Sequence, residues 1–149
     1  MIPSGSLVQF VAAWESCSLS PYLDPVGLLT IGYGHRIPVG GDRSSITEPQ
    51  AQALLAQDLA NAMRGLIMYV TVDWSQQQAD ALCSLAFNCG GTAIGNSHLM
   101  ALYNQDDWTG VAIEWLRWDH ANGSVEPGLL DRRKAELAIF EDNDYSGRP

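Results

Sequence analysis

Residues 15–35 read ESCSLSPYLDPVGLLTIGYGH, a stretch that joins a helix end to a turn and the turn to a strand. Glu15 closes a run in which Leu7, Phe10, Val11 and Trp14 recur at helical spacing, so its carboxylate sits where a first helix gives out into loop. Asp24 opens Asp24-Pro25-Val26-Gly27, which has the acceptor, the preset φ and the glycine that a tight turn wants in those places. Thr30 follows in LTIGYGH, residues 29–35. A period of two predicts one strand there, with Thr30, Gly32 and Gly34 on one face and Leu29, Ile31, Tyr33 and His35 on the other. The threonine and glycine face leaves room for a ligand against the backbone.

Working outward, the helix before this stretch is expected from about residue 4 or 6 to residue 17. After it, Gly40-Gly41-Asp42 ends a region of short strands and turns, and Thr47-Glu48-Pro49-Gln50 forms a capping box. Leu54, Leu55, Leu59, Ala62, Met63, Leu66 and Ile67 then keep helical spacing for about twenty residues, roughly 30 Å, enough to join two lobes. Ser75 to Gln78 form a second capping box, and the helix it opens is nearly uncharged through Phe87, which predicts a position at the centre of a bundle before a stop at Gly90-Gly91. Shorter helices are expected at about 97–104, 107–118 and 129–141, with Trp108, Trp115 and Trp118 packing the core. Residues 122–128 read as a loop.

Composition narrows the class. The chain has 149 residues, no apolar run near the ~18 needed to span a bilayer, and a start without the basic and apolar blocks of a secretion signal. These features predict a globular protein without a membrane anchor. Three cysteines, Cys17, Cys83 and Cys89, follow no metal-ligand pattern and are expected to be buried reduced thiols. The net charge of −9, with only eight Lys and Arg, argues against a nucleic-acid partner. It also removes the electrostatic help that enzymes working on anionic polymers usually have.

Singly, an acid at a helix end or an Asp opening a turn is ordinary architecture. Together, Glu15, Asp24 and Thr30 followed by Ile31-Gly32-Tyr33-Gly34-His35 resemble the catalytic stretch of the phage-type lysozymes, the endolysin muramidases that include the lysozyme of the T-even phages. The resemblance continues through Ile46-Thr47, the helix of Asp58, LCSLAFNCG at 82–90, Asn96-Ser97, Arg117-Trp118 and Arg132-Arg133, over about residues 5–141. It implies an α+β, mostly helical, two-lobed fold over residues 1–149, with a small antiparallel lobe at about 12–46 and a helical lobe at about 70–141 that takes in the N-terminal helix.

Resemblance further implies hydrolysis of the β-1,4 bond between N-acetylmuramic acid and N-acetylglucosamine in peptidoglycan, with no cofactor or metal. Glu15 would be the acid, Asp24 the ionised partner facing the developing positive charge, and Thr30 a holder of water. A glutamate at a helix end beneath apolar neighbours can be partly desolvated, which favours the protonated form that the role needs. Arg132 looks like the family arginine that closes the cleft near the acid, a surface cation beside Asp131 and Glu136 being the other reading. Asp131 departs from the family habit of a further basic residue. Phe87 and Ser97 match glycan-contacting positions, and His35 and Asp58 match a structural pair. The implied setting is a monomer made in the cytoplasm of a host bacterium, reaching the periplasmic wall through a hole-forming membrane protein, a holin. A lytic transglycosylase, which needs the acid alone, and a non-catalytic glycan-binding protein of the same fold remain the alternatives.

Overall fold

The computed structural model describes residues 1–149. Helix α1 (Gly5–Trp14) starts at Ser4, whose hydroxyl accepts from the Leu7 amide at 3.1 Å, and buries Leu7, Phe10 and Val11 completely. It ends before the expected residue 17 because the chain must straighten at Glu15 (φ −98°, ψ 145°) to feed the first strand.

Strands β1 (Ser18–Leu23), β2 (Leu29–Gly32) and β3 (His35–Arg36) form an antiparallel sheet in that order. Asp24 and its turn join β1 to β2 as the sequence implies, with Gly27 at φ 82° donating to the Asp24 carbonyl at 2.9 Å. The single strand expected over 29–35 does not form. Gly32 (φ 64°) and Gly34 (φ 94°) occupy conformations that disfavour side chains, so the chain reverses there and Ile31 pairs with His35. Gly32, Gly34 and Thr30 therefore do not share a ligand-facing surface. A Cβ on Gly32 would lie 3.4 Å from Ala51 Cβ, so that glycine lets the hairpin tip seat against the next helix.

That helix, α2 (Glu48–Leu66), opens with the expected capping box: the Gln50 amide donates to Thr47 Oγ1, and the Thr47 amide to Gln50 Oε1 at 2.8 Å. Its inner stripe of Ala51, Leu55, Leu59, Met63 and Leu66 is buried, while Ile67 is exposed. At the centre lies α3 (Gln76–Cys89), where every residue from 79 to 86 is buried, as its lack of charge predicts. Gly90, at φ 96°, ends α3 but interrupts the helical path for one residue only, and the chain resumes as α4 (Gly91–Gly95), a helix hidden in the sequence by its terminating glycines.

Helices α5 (His98–Tyr103), α6 (Trp108–Leu116) and α7 (Pro127–Asp142) complete the larger lobe. Trp115 is fully buried, whereas Trp108 is 39% exposed and edge-packs on Tyr103 at a centroid distance of 5.4 Å. The expected loop at 122–128 instead supplies the turn and second strand of a hairpin, β4 (His120–Ala121) and β5 (Ser124–Val125), turned by Asn122 and Gly123 at φ 51° and 80°, and then the start of α7. An Asn-Gly pair favours that turn. All three cysteines are free, but Cys17 is exposed, because it lies just beyond the end of α1 and outside the packed stripe.

The C-terminal segment is tied to the start of α3. Fully buried Asp80 accepts from Tyr145 Oη at 2.8 Å, Gln76 Nε2 at 2.9 Å and the Ser4 amide at 3.2 Å. Burial first, then Asp80, pushes the Tyr145 hydroxyl up to about 12. A raised phenol stabilises the fold fully below the unfolded value of about 10, and the contribution is lost as pH rises through 12. Tyr145→Phe should therefore lose less stability than the parent between pH 10 and 12 in urea titrations. Identical losses would show that the Tyr145–Asp80 bond does not couple to folding.

Candidate active site

Between the lobes runs an open cleft of about 460 Å³ lined by Glu15, Tyr33, Gly34, His35, Arg36, Asp58, Phe87 and Asn88. Each arrives by a different route: Glu15 from the end of α1, residues 33–36 from the β2–β3 hairpin, Asp58 from α2, and Phe87 and Asn88 from the last turn of α3.

Glu15 is half-buried, and its Oε1 accepts from Arg132 Nη1 at 2.7 Å. Arg132 is 4% exposed, so it is no surface cation. Behind it lies Glu136, wholly buried, which accepts from Ser84 Oγ at 2.7 Å, Trp115 Nε1 at 3.2 Å, Arg132 Nε at 3.3 Å and Arg133 Nη2 at 3.2 Å. Arg133, also fully buried, donates to Asn88 Oδ1 at 2.8 Å and to the Trp118 carbonyl at 3.3 Å. A buried carboxylate thus holds two guanidiniums, one aimed at Glu15 and one at Asn88. Burial is costly for such ions unless they are paired and hydrogen-bonded, and here each is paired with Glu136, with only Arg132 Nη2 left without any partner.

Asp24 opens the β1–β2 turn and Thr30 lies on β2 just after it, and neither is among the residues that line the cleft. Asp24 Oδ1 accepts from the amides of Val26 at 3.0 Å and Leu28 at 2.8 Å, while its Oδ2 has no protein partner. Thr30, 3% exposed, donates its hydroxyl to the Leu28 carbonyl at 2.9 Å. One residue, Leu28, thereby sets both groups. Having given its only proton to a carbonyl, the Thr30 oxygen is left as an acceptor, and a water bonded to it would donate a proton and turn a lone pair elsewhere.

His35 Nδ1 lies 2.9 and 3.1 Å from the two carboxylate oxygens of Asp58, a contact that ties the hairpin to α2. Ser97 caps α5, accepting from the Met100 amide at 3.3 Å and donating to the Ile94 carbonyl at 2.6 Å, and does not line the cleft. Phe87 and Gly34 do. Tyr33, Arg36 and Asn88 are cleft residues that sequence reasoning did not single out. Burial and the neighbouring Cys17 push the Tyr33 hydroxyl above its usual range. Only Asn88 left a trace in the sequence, as a polar residue interrupting the apolar end of a central helix.

Comparison with known proteins matches residues 12–136 to the family model described as phage lysozyme. The chain is 39% identical over 136 residues to an endolysin of Acyrthosiphon pisum secondary endosymbiont phage 1, covering 88% of this chain and 92% of that protein. It is 34% identical over 125 residues to a SAR-endolysin of bacteriophage PS119, covering 84% and 75%. Among solved structures, the endolysin of Escherichia coli O157:H7 phage FAHEc1 superposes with a TM-score of 0.83 at 29% identity over 97% of this chain and 96% of its own. A P22 lysozyme mutant gives 0.83 at 33% identity over 94% and 98%. The chain belongs to the phage lysozyme family and is an endolysin with muramidase activity, a glycoside hydrolase of bacterial peptidoglycan.

The Glu136 network yields a test. Glu136→Gln removes the charge between two buried guanidiniums and should cost roughly 3–5 kcal/mol in urea unfolding. A loss below about 1 kcal/mol would show that Arg132 and Arg133 are held by other contacts.

Proposed function

We propose that Glu15 is the general acid of this muramidase and that Asp24 and Thr30 serve the opposite side of the scissile bond. The observation that carries the reading is the placing of Glu15: it alone of the three lines the cleft, at a helix end, against a buried arginine. Donating a proton to the glycosidic oxygen leaves Glu15 as a carboxylate, and Arg132 at 2.7 Å stabilises that charge. Because Arg132 also contacts Glu136 at 3.3 Å, part of its charge is met from behind when Glu15 is neutral.

Across the bond, Asp24 Oδ2 is free to face the oxocarbenium charge, and Thr30 is set as an acceptor for water. Gly34 and Phe87 would contact the glycan, with Arg132 positioning the acid. Residues 1–149 act as one hydrolase domain, working as a monomer and needing no cofactor. The protein would be made in the host cytoplasm and meet the wall in the periplasm. No helix is long and apolar enough to cross a membrane, and the access route in this reading is a holin. The presence of both Asp24 and Thr30 argues against a transglycosylase and that of all three residues against a binding protein, while a threonine in place of a second nearby carboxylate favours single over double displacement.

Glu15→Gln should keep the parent melting temperature and lose wall-clearing activity to below a few per cent, since the amide has no proton of suitable acidity to give. A folded variant that still clears peptidoglycan would remove Glu15 from the acid role.

The water-mediated route also fixes the product. Inverting glycosidases leave about 6.5–9.5 Å between their carboxyls for a water, against about 5 Å in retaining ones. The first reducing end formed should be the α anomer of muramic acid, read by early NMR of the digest. A β anomer appearing first, an anhydro end, or a glycosyl adduct on Asp24 would each overturn this route.

A further inference from the structure

Two loops of the small lobe, residues 24–28 and 37–43, border a groove of about 500 Å³ that shares only Arg36 with the cleft. Its aliphatic side chains face water: Val39 is fully exposed, Leu23 67% and Leu28 40%, and Val26, next to Gly27 of the groove, is 75% exposed. Singly such exposure is ordinary, but four aliphatic side chains on adjoining loops make a patch of the kind that meets a partner. Arg36 and Arg43 rim it, both exposed, and neither enters any of the ion pairs of the molecule. The two acids of these loops do not answer them. Asp24 Oδ1 takes the amides of Val26 and Leu28, and Asp42 Oδ1 takes the amide and hydroxyl of Ser44.

Charge narrows the partner. Residues 16–47 hold two arginines against two aspartates, so this lobe is neutral while the chain as a whole carries −9. An anionic surface approaching the lobe therefore meets guanidiniums and aliphatic side chains before any excess of acid. A second copy of the chain is a poor occupant, since a stable interface takes about 20–30 residues a side and this groove has nine, none of them aromatic. A bilayer asks for less: a few aliphatic side chains at the acyl boundary and cations at the level of the phosphates. We propose that loops 24–28 and 37–43 dock peripherally on an anionic phospholipid bilayer, with Leu23, Val26, Leu28 and Val39 at the acyl boundary and Arg36 and Arg43 on the phosphates. Such docking needs no spanning helix, and it stands independently of the roles given to Glu15, Asp24 and Thr30.

Val39 and Arg43 are the residues to change, since both are exposed and outside the cleft. The full chain would be sedimented with vesicles of phosphatidylcholine alone and of equal parts phosphatidylcholine and phosphatidylglycerol, at low and at high salt. The parent should partition onto the mixed vesicles, less onto phosphatidylcholine, and less again at high salt. Val39→Asp and Arg43→Glu should each lower the partition coefficient on mixed vesicles by about tenfold or more, with Arg43→Lys keeping most of it. Both variants should keep the parent melting temperature and its wall-clearing rate in vesicle-free buffer. Met68→Asp is the control: Met68 is 77% exposed just past the end of α2, whose other end meets the hairpin at Ala51, and this variant should bind as the parent does. No partitioning of the parent, equal partitioning of parent, Val39→Asp and Arg43→Glu, or a loss confined to Met68→Asp would each overturn the docking surface. So would a parent dimer on size exclusion that Val39→Asp converts to monomer, because a second copy would then be the occupant.

Discussion

Glu136 is the group on which the cleft depends. Its carboxylate, wholly removed from water, receives bonds from Ser84 on α3, Trp115 on α6 and the two arginines that precede it on α7, so three helices of the larger lobe meet at one charge. The sign pattern is what makes this stable: two cations and one anion are buried at Glu136, and the balancing anion is Glu15 at the cleft wall. The cluster is therefore charge-balanced once the residue proposed as the acid has given up its proton. Few side chains other than a carboxylate could accept this many charged donors in one place.

That arrangement makes the scaffold and the chemistry one structure. The stripe of α1 that buries Leu7, Phe10 and Val11 ends one turn before Glu15, so packing of the first helix sets how far the carboxyl projects. Around Asp24 and Thr30, rigidity comes from backbone rather than charge. Asp24 and Thr30 are both bonded to Leu28, within a turn closed by Gly27, and the sheet pairs Thr30 with Tyr22 and Arg36. Two different kinds of constraint thus hold these side chains, a buried ion cluster behind Glu15 and an Asx-type turn that sets Asp24.

The hairpin of β2 and β3 links the lobes to this geometry. Its tip is seated on α2 through Gly32, and beside the reversal it is held by the hydrogen bond of His35 to Asp58. From that frame Arg36 projects between the cleft and the groove beside it, while Tyr33 and Gly34 form part of the cleft wall. A side chain at Gly32 would strain the backbone at its φ of 64°, which is why the reversal falls at that glycine.

Much of the local architecture was legible in the sequence because its causes lie within four residues of their effects. Both capping boxes, the Asp24 turn, the buried stripe of α2 and the burial of uncharged α3 follow from neighbouring side chains and backbone periodicity. Where alternation was read too far, at residues 29–35, the misleading signal was glycine, which fits a strand pattern and a reversal equally well; the same ambiguity concealed α4. Glu15, Asp24 and Thr30 were visible as a spaced pattern, and the sequence by itself determined the helix end and the turn that carry them. Only tertiary structure brought Arg132 to Glu15 across 117 positions of chain, buried Glu136 between two arginines, and set Arg36 between two concavities. Such pairings have no local signature, since a charged residue on a helix reads as solvated until the packing of neighbouring helices removes its water and leaves it only the partners they supply.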